Sequence, residues 1–232
     1  MLAQHSSEIA LITGATSALG GEFARQLAPF CKSMILVARP GAELGELAET
    51  LRAPGREVQV IAADLSQPLA VAELMEAIRQ RGPVTLLVNH GDLVSTGEFA
   101  RSDLDAQQAM VALHCQSTLA LSRGVLPFMR AAGGGAIINV AATVALTPAP
   151  QLAVYSASMA FLAAFTRSLA QELVDDNIAV QCFCPAPELG CVEAVASSLA
   201  ALSAEPPSTI VVPGDTQRQE VGAALQKMIA DL

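Results

Sequence analysis

An apolar run that leads directly into a glycine-containing turn is the feature that most restricts how this chain can fold. Residues Ile9–Gly20 read IALITGATSALG, so an apolar strand would be followed by a turn and then by a segment of helical period. Glycine allows the backbone to reverse and to approach a phosphate closely, and the N–H groups at a helix N-terminus attract anions. The pattern therefore predicts a pyrophosphate-binding turn at Gly14 and Gly20, to which Thr16 and Ser17 could add hydroxyl donors. A tight turn with a structural role only is the alternative.

Short apolar or β-branched runs alternate with longer segments of helical period along the sequence. The predicted strands are Ile9–Thr13, Met34–Ala38, Val58–Ala62, Thr85–Asn89, Ala136–Val140, Ala179–Phe183 and Thr209–Val212. The predicted helices are Leu19–Ala28, Ala42–Leu51, Pro68–Arg79, Asp103–Arg130, Leu152–Val174, Cys191–Ser203 and Thr216–Asp231. Continuous apolar strands that alternate with helices are typical of a parallel sheet covered on both faces. We therefore expect residues 1–232 to form one α/β domain of the Rossmann type, a doubly wound parallel sheet of about seven strands with helices on both faces.

Composition and charge argue against several other classes of protein. The formal net charge of −9 and the lack of a Lys/Arg cluster argue against nucleic-acid binding. No apolar run reaches the roughly 18 residues that cross a bilayer, and Met1–Glu8 lacks the pattern of a signal peptide. We therefore expect a cytoplasmic protein that is not held in a membrane. The five cysteines lack metal-ligand spacing, so we expect reduced thiols and no metal site.

Three motifs, taken together, resemble the short-chain dehydrogenase/reductase family. They are TGATSALG at 13–20, NHGD at 89–92 and YSASM at 155–159, and the resemblance extends over nearly the whole chain. The resemblance implies a dinucleotide site formed by Gly14, Thr16, Ser17, Leu19, Gly20, Arg39, Asp64, Leu65 and Asn89. In the family, an aspartate at the position of Asp64 contacts adenine, and an arginine at the position of Arg39 often selects the extra phosphate of NADP. Because Ala38 stands where NAD-preferring members usually carry aspartate, we expect NADP(H) rather than NAD(H), unless binding has been lost. A solvated loop charge is the alternative interpretation of Arg39.

Most of the catalytic residues that the resemblance implies are replaced. The family uses a tyrosine as acid or base, a lysine that lowers the tyrosine pKa, a serine that polarises the substrate oxygen and an asparagine that keeps a water relay in place. Tyr155 matches the tyrosine. Met159 stands at the lysine position, Ala142 at the serine position and His114 at the asparagine position. Since a free phenol has a pKa near 10, a tyrosine without a neighbouring cation is a poor base near neutral pH. Loss of the hydroxyl donor removes an oxyanion contact that is typically worth roughly 10²–10³ in rate.

Two compensating arrangements stay open from the sequence. Thr143 could replace the missing serine, although one residue further along a strand it should face the opposite way. His90 and His114 both map near the nicotinamide end, so they could form a reworked acid–base site with Tyr155, because histidine titrates near neutral pH. The alternative is that both histidines are incidental, His114 at a helix interface and His90 in a loop.

The segment that covers the substrate in the family is shortened here. The family's Pro-Gly pair and following threonine are replaced by Pro185–Gly190, in which Ala186 stands at the glycine position and Gly190 at the threonine position. Residues 190–208 leave room for one helix and a Pro-Pro turn, and such a short lid would do little to exclude water or hold a substrate. A carboxylate at Asp92 is expected near the cofactor, where it would oppose phosphate binding.

Three functions are compatible with these observations. The combined losses favour a non-catalytic family member. Because the long helices at Asp103–Arg130 and Leu152–Val174 pair between subunits in the family, we expect a homo-oligomer or a hetero-oligomer with an active relative. One alternative is a working NADPH-dependent carbonyl reductase or alcohol dehydrogenase that uses Tyr155. Another is a binding module that senses the NADP(H) pool and has no reaction of its own.

Overall fold

Parallel strands, most of them buried, form one sheet at the centre of the molecule. This computed structural model describes residues 7–185 and 189–230. The strands are β1 Ser7–Thr13, β2 Cys31–Ala38, β3 Glu57–Ala62, β4 Val84–Asn89, β5 Gly135–Val140, β6 Ile178–Phe183 and β7 Ile210–Val211. They lie in the order β3-β2-β1-β4-β5-β6-β7, and all paired neighbours are parallel. The chain reverses its direction of sheet growth between β1 and β4, which is the place where doubly wound sheets bind their ligands.

Helices cover both faces of the sheet. They are α1 Ala18–Leu27, α2 Ala42–Leu51, α3 Pro68–Arg81, α4 Leu104–Val111, α5 Thr118–Ala131, α6 Ala153–Glu172, α7 Cys191–Leu202 and α8 Asp215–Ala230. On one face α1, α2 and α7 pack around the buried side chains of Ile12 and Leu36. On the other face α3, α5 and α6 pack around Leu11 and Leu87. The Rossmann-type architecture expected from the sequence is confirmed.

A third apolar cluster lies where α6 meets β6 and α8. Its buried members include Met159, Leu162, Cys182, Cys184 and Val221. The sulfur atoms of the two cysteines are 3.7 Å apart, and both thiols are free. Because this cluster joins the three elements, it fixes the position of the helix that carries the site residues of α6.

The helical segment expected over Asp103–Arg130 is present, but it contains a π-helical turn that the sequence did not predict. α4 ends at Val111, a π-helical turn follows over Ala112–Ser117, and α5 begins at Thr118. A π-turn adds one residue within an otherwise helical segment, and the apolar period of the sequence does not reveal it. Such turns are frequent at functional sites. This one contains His114.

Other element boundaries differ from the predicted ones by a few residues, as helix and strand ends commonly do. β7 is two residues long rather than the four of Thr209–Val212, and α3 continues to Arg81. In the described part of the chain, no helix combines the length and the apolar character needed to span a membrane.

Candidate functional site

The junction of β1 and α1 forms a cradle of backbone groups. Gly14 has a φ of +60°, and a Cβ atom there would lie 2.7 Å from the carbonyl oxygen of His90. A Cβ atom on Gly20 would collide with the carbonyl oxygen of Gly14. Ser17 caps α1, and its Oγ accepts the N–H of Gly20 at 2.9 Å, so its own hydroxyl proton is still available to a ligand. Both glycines are therefore required by geometry, as the sequence predicted.

A cavity of about 490 Å³ opens beside this cradle, across the carboxyl ends of the strands. Of the predicted cofactor contacts, the residues that line it are Gly14, Thr16, Ser17, Arg39, Asp64 and Leu65. The carboxylate of Asp64 is fixed because its Oδ1 accepts the N–H and the hydroxyl of Ser66 at 3.0 and 2.8 Å. Leu19 instead packs on the apolar core below the cradle. The cavity thus extends from β2 and β3 on one side to the loop after β4 on the other.

Helix α4 and the turn after it form a wall of the cavity that the sequence analysis missed. Ala106, Ala109 and Leu113 line it. Their spacing of three and four residues places them on one helical face. This spacing was visible in the sequence, but it is equally typical of a core-facing helix, so it gave no specific signal.

The charges that line the cavity are mostly negative. Four carboxylates, those of Asp64, Asp92, Asp103 and Asp105, face one guanidinium group, that of Arg39. Anionic phosphates are repelled by such a wall. A phosphorylated ligand would therefore depend on the backbone N–H groups at Gly14 and on Arg39.

Thr13 connects the end of β1 to the loop after β4. Its hydroxyl donates to the carbonyl oxygen of His90 at 2.9 Å and accepts the N–H of His90 at the same distance. The ring of His90 is enclosed beside Gly14, and its Nδ1 has no protein partner among the described residues. Burial lowers the pKa of His90 to about 4, with a smaller opposing effect from Asp92. The imidazole is therefore neutral at physiological pH.

The free energy of unfolding is expected to decrease as the pH falls below 6.5, in part because of His90. The unfolded ring has a pKa near 6.5 and the folded ring about 4, so the unfolded state binds more protons between these values. The resulting loss approaches about 3 kcal/mol near pH 4. Urea unfolding at several pH values measures it, and His90→Asn should give a flatter curve. Parallel curves for the variant and the wild type would contradict the assigned pKa.

His114 lies in the π-helical turn and is held by the loop after β4. Its Nε2 is 2.8 Å from the carbonyl oxygen of Leu93, to which it donates. Its Nδ1 lies 2.9 Å from the place that a Cβ atom on Gly91 would take. Burial lowers the pKa of His114, while the bond to Leu93 and the charge of Asp92 oppose that effect. The ring therefore acts as a fixed, neutral donor to the loop.

Tyr155 lies against His114. The ring centroids are 5.8 Å apart with an interplanar angle of 69°, which is an edge-to-face contact. The structure thus brings together two of the three residues that the sequence suggested as members of a reworked site. Burial raises the pKa of Tyr155 above its ordinary value, and the charge of Asp92 raises it further. Both effects favour the protonated phenol, in the direction expected from the sequence.

The two substituted positions beside Tyr155 carry apolar side chains. Met159 is 1% exposed and packs in the third apolar cluster. Ala142 lies just after β5 and is partly buried at the edge of the same cluster. The expectation that Thr143 continues a strand is wrong, because β5 ends at Val140 and Thr143 begins a short 3-10 turn. Because Thr143 is not part of a strand, strand alternation gives no reason to expect its side chain to face away from the site.

Asn89 lies below the cavity. Its amide nitrogen donates to Asn139 Oδ1 at 2.9 Å and to Ser122 Oγ at 3.2 Å, and Asn139 in turn donates to Thr166 at 2.8 Å. All four side chains are buried. Asn89 is therefore part of a hydrogen-bonded network between β4, β5, α5 and α6, and it supports the loop that carries His90.

Residues 190–208, which the sequence predicts to form a shortened lid, begin close to a gap in the described residues. Ala186, the substituted glycine of the family motif, lies outside them. Gly190 precedes α7 as its N-cap residue, and α7 is the helix between Gly190 and β7. In the described part of the chain, no three histidine, cysteine, aspartate or glutamate side chains are grouped to hold a metal ion.

A glycine cradle at the switch point of a seven-stranded parallel sheet, with a cavity beside it, defines a Rossmann-type α/β protein. Residues 8–189 match the family model described as short chain dehydrogenase. The chain therefore belongs to the short-chain dehydrogenase family.

Individual relatives agree with this assignment. The very-long-chain 3-oxoacyl-CoA reductase of Podospora anserina is 34% identical over 184 residues, which are 74% of this chain and 52% of the relative, so the match spans about half of that protein. The bulky-bulky ketone specific alcohol dehydrogenase from Comamonas testosteroni has a similar structure, with a TM-score of 0.83, 25% identity and coverage of 97% and 95% of the two chains. L-sorbose reductase from Gluconobacter frateurii, solved with NADPH and L-sorbose, has a TM-score of 0.72 and 28% identity over 93% of this chain and 88% of its own.

Proposed function

We propose that this chain binds an NADP(H)-type dinucleotide in the cavity beside Gly14 and does not transfer hydride on its own. It would act as a non-catalytic member of its family. The observation that carries this proposal is the surroundings of Tyr155, because burial and Asp92 both raise the pKa of the phenol. The side chain at the position of the family's lysine is the buried thioether of Met159.

The residues of the cradle fit a dinucleotide. Gly14, Thr16 and Ser17 line the cavity at the N-terminus of α1, so the turn there could receive a pyrophosphate. Arg39 lines the same cavity and could hold the extra phosphate of NADP, while the fixed carboxylate of Asp64 could meet the adenine. NADPH occupies the structure of L-sorbose reductase, to which this chain is 28% identical. The four carboxylates that line the cavity would weaken this binding, but they do not block the backbone groups of the glycine cradle.

A bound nicotinamide would supply or accept the hydride, so the chain itself would have to move the proton and stabilise the oxyanion. Tyr155 retains its proton at neutral pH, because both burial and the charge of Asp92 raise the pKa of its phenol. Ala142 offers no hydroxyl to a developing oxyanion, and such donors are typically worth roughly 10²–10³ in rate. The two deficits together would reduce turnover by several orders of magnitude.

The proposal is tested by titrating Tyr155 and by measuring turnover in the same preparation. The chain has one tyrosine and no tryptophan, so ultraviolet absorbance of the phenolate reports Tyr155 alone. We expect a midpoint above the ordinary value near 10, and a lower midpoint in Asp92→Asn, because the carboxylate raises the pKa. We also expect no enzymatic oxidation of NADPH over a panel of ketones. A midpoint near 7, or turnover that Tyr155→Phe abolishes, would contradict the proposal.

Exposed apolar side chains on neighbouring helices support assembly with a second chain of the family, either a copy of this one or an active relative. Val111 and Leu119 are 36% and 42% exposed at the two ends of the π-helical turn. On α6 the rings of Phe161 and Phe165 are stacked with centroids 5.8 Å apart and are only partly buried. Apolar side chains of this kind are buried when two such helix pairs meet.

Assembly is tested by light scattering of the purified chain and by pull-down from its native host. We expect a mass above that of the monomer, 23.9 kDa, or recovery of an intact relative. Leu119→Glu should remove the assembly, because it places a charge in the apolar contact. Leu69→Glu, at a residue of α3 that is 71% exposed, is the matched control. A monomer that recovers no relative would rule the partnership out.

A further inference from the structure

We propose that Asp92 makes this cavity select the oxidised, positively charged nicotinamide over the reduced, neutral form. The chain would then report the oxidation state of its ligand rather than change it. This inference rests on the proposed function, since it requires that a dinucleotide binds at all.

Asp92 lies at the wall of the cavity, within a loop that is fixed on both sides. The residue before it, Gly91, lies against the ring of His114, and the carbonyl oxygen of the residue after it, Leu93, accepts the Nε2 proton of the same ring at 2.8 Å. The Asp92 side chain is exposed and lines the cavity. The loop thus holds one carboxylate at the cavity wall, close enough to His90, His114 and Tyr155 for its charge to shift the pKa of each.

The groups around Asp92 do not neutralise its charge. Burial lowers the pKa of His90 to about 4 and also lowers the pKa of His114. Burial raises the pKa of Tyr155, so all three rings are uncharged near pH 7. Met159 carries a thioether. Among these five side chains, the single formal charge is therefore the negative charge of Asp92.

The order of the strands indicates which half of a dinucleotide meets this charge. In doubly wound sheets the pyrophosphate lies at the turn after the first strand and the adenosine half lies toward the next strands of the same half-sheet. Here that side carries Arg39 after β2 and Asp64 after β3. A ligand that crosses the turn at Gly14 therefore extends its nicotinamide half toward β4 and the loop of Asp92.

The oxidised nicotinamide ring carries one positive charge that the reduced ring lacks, and the rest of the ligand is common to both forms. A carboxylate at this end of the cavity repels the phosphates of both forms equally but attracts only the oxidised ring. For an exposed carboxylate several ångströms from the ring, the difference corresponds to about fivefold in dissociation constant. The carboxylates Asp103 and Asp105 on the α4 side of the cavity act in the same direction from elsewhere on its wall.

The experiment is calorimetric titration of the full chain with NADP⁺ and, separately, with NADPH. We expect NADP⁺ to bind about fivefold more tightly, and we expect Asp92→Asn to reduce the ratio of the two dissociation constants to the smaller remainder that Asp103 and Asp105 contribute. Asp92→Glu retains the charge and should retain the preference. Glu98→Gln is the matched control, because it removes one carboxylate from the same loop where Glu98 pairs with Arg101 at the surface, and it should leave the ratio unchanged.

Each outcome has a distinct meaning. Tight binding of both forms with equal affinity would overturn this inference and leave the proposed function intact. An unchanged preference in Asp92→Asn would overturn the role of Asp92. Binding of neither form would overturn the proposed function together with this inference. Since the carboxylate is exposed, the preference should also weaken when the ionic strength is raised above about 0.15 M, and a ratio that does not respond to salt would contradict an electrostatic origin.

Discussion

Replacement of Gly14 by aspartate is expected to abolish dinucleotide binding, with a loss of affinity of at least about 100-fold. The residue has a φ of +60°, in the left-handed region that side chains rarely adopt. A Cβ atom would lie 2.7 Å from the carbonyl oxygen of His90, so the loop after β4 would have to move. The added carboxylate would also face the pyrophosphate. Calorimetric titration with NADPH and NADP⁺ measures the loss.

The matched control for this variant is Gly45→Asp. Gly45 lies on the exposed side of α2, and a Cβ atom there has open space around it. The Gly45→Asp substitution adds the same charge without disturbing the cradle, so dinucleotide binding should be retained. Thermal melts of both variants show whether Gly14→Asp still folds, and Gly14→Ala supplies the steric strain without the charge. Unchanged affinity in a folded Gly14→Asp variant would show that the ligand does not contact the cradle.

Replacement of Met159 by lysine is expected to lower the free energy of unfolding by about 3–5 kcal/mol at pH 7. Met159 is 1% exposed and packs among Ala141, Cys182 and Val212, none of which can pair with an ammonium group. Burial lowers the pKa of such a lysine, so the unfolded state binds more protons. The deficit should therefore be largest at neutral pH and shrink as the pH rises toward about 10. Urea unfolding at neutral and alkaline pH measures both effects.

Met159→Leu is the control for the change in shape, and it should cost less than about 1.5 kcal/mol because the volume is conserved. The opposite result for the lysine variant is equally informative. If the lysine variant is as stable as the wild type and the midpoint of the Tyr155 titration falls, then the ammonium group reaches the phenol. The apolar packing around Met159 would then be no barrier to restoring the family's arrangement.

Much of the candidate site could be predicted because it depends on short-range geometry. The positive φ of Gly14 and the contact between Gly20 and the carbonyl oxygen of Gly14 both arise within one turn of the backbone, so eight consecutive letters of sequence contain them. The replacements at Met159 and Ala142 are likewise visible at fixed spacing from Tyr155. The expected cytoplasmic location and the extent of the domain stay predictions.

The rest of the site depends on contacts between distant segments, which periodicity cannot reveal. The neutral state of His90 follows from its enclosure beside Gly14, 76 residues earlier in the chain. The π-helical turn that contains His114 lies inside a segment of helical period, so the sequence predicted an ordinary helix there. The supporting role of Asn89 was hidden for the same reason, because its partners Asn139 and Ser122 come from other elements.

The sequence by itself determined the sheet, its layers and the position of the cradle, because strand burial, helical period and the sterics of glycine act between near neighbours. Only the tertiary structure decided the charges in the cavity. The pKa of a side chain depends on how much water it retains and on which charges lie within a few ångströms, and both are set by folding. That is why Asp92, one acidic residue of 22 in the sequence, emerges as the single formal charge beside three neutral rings.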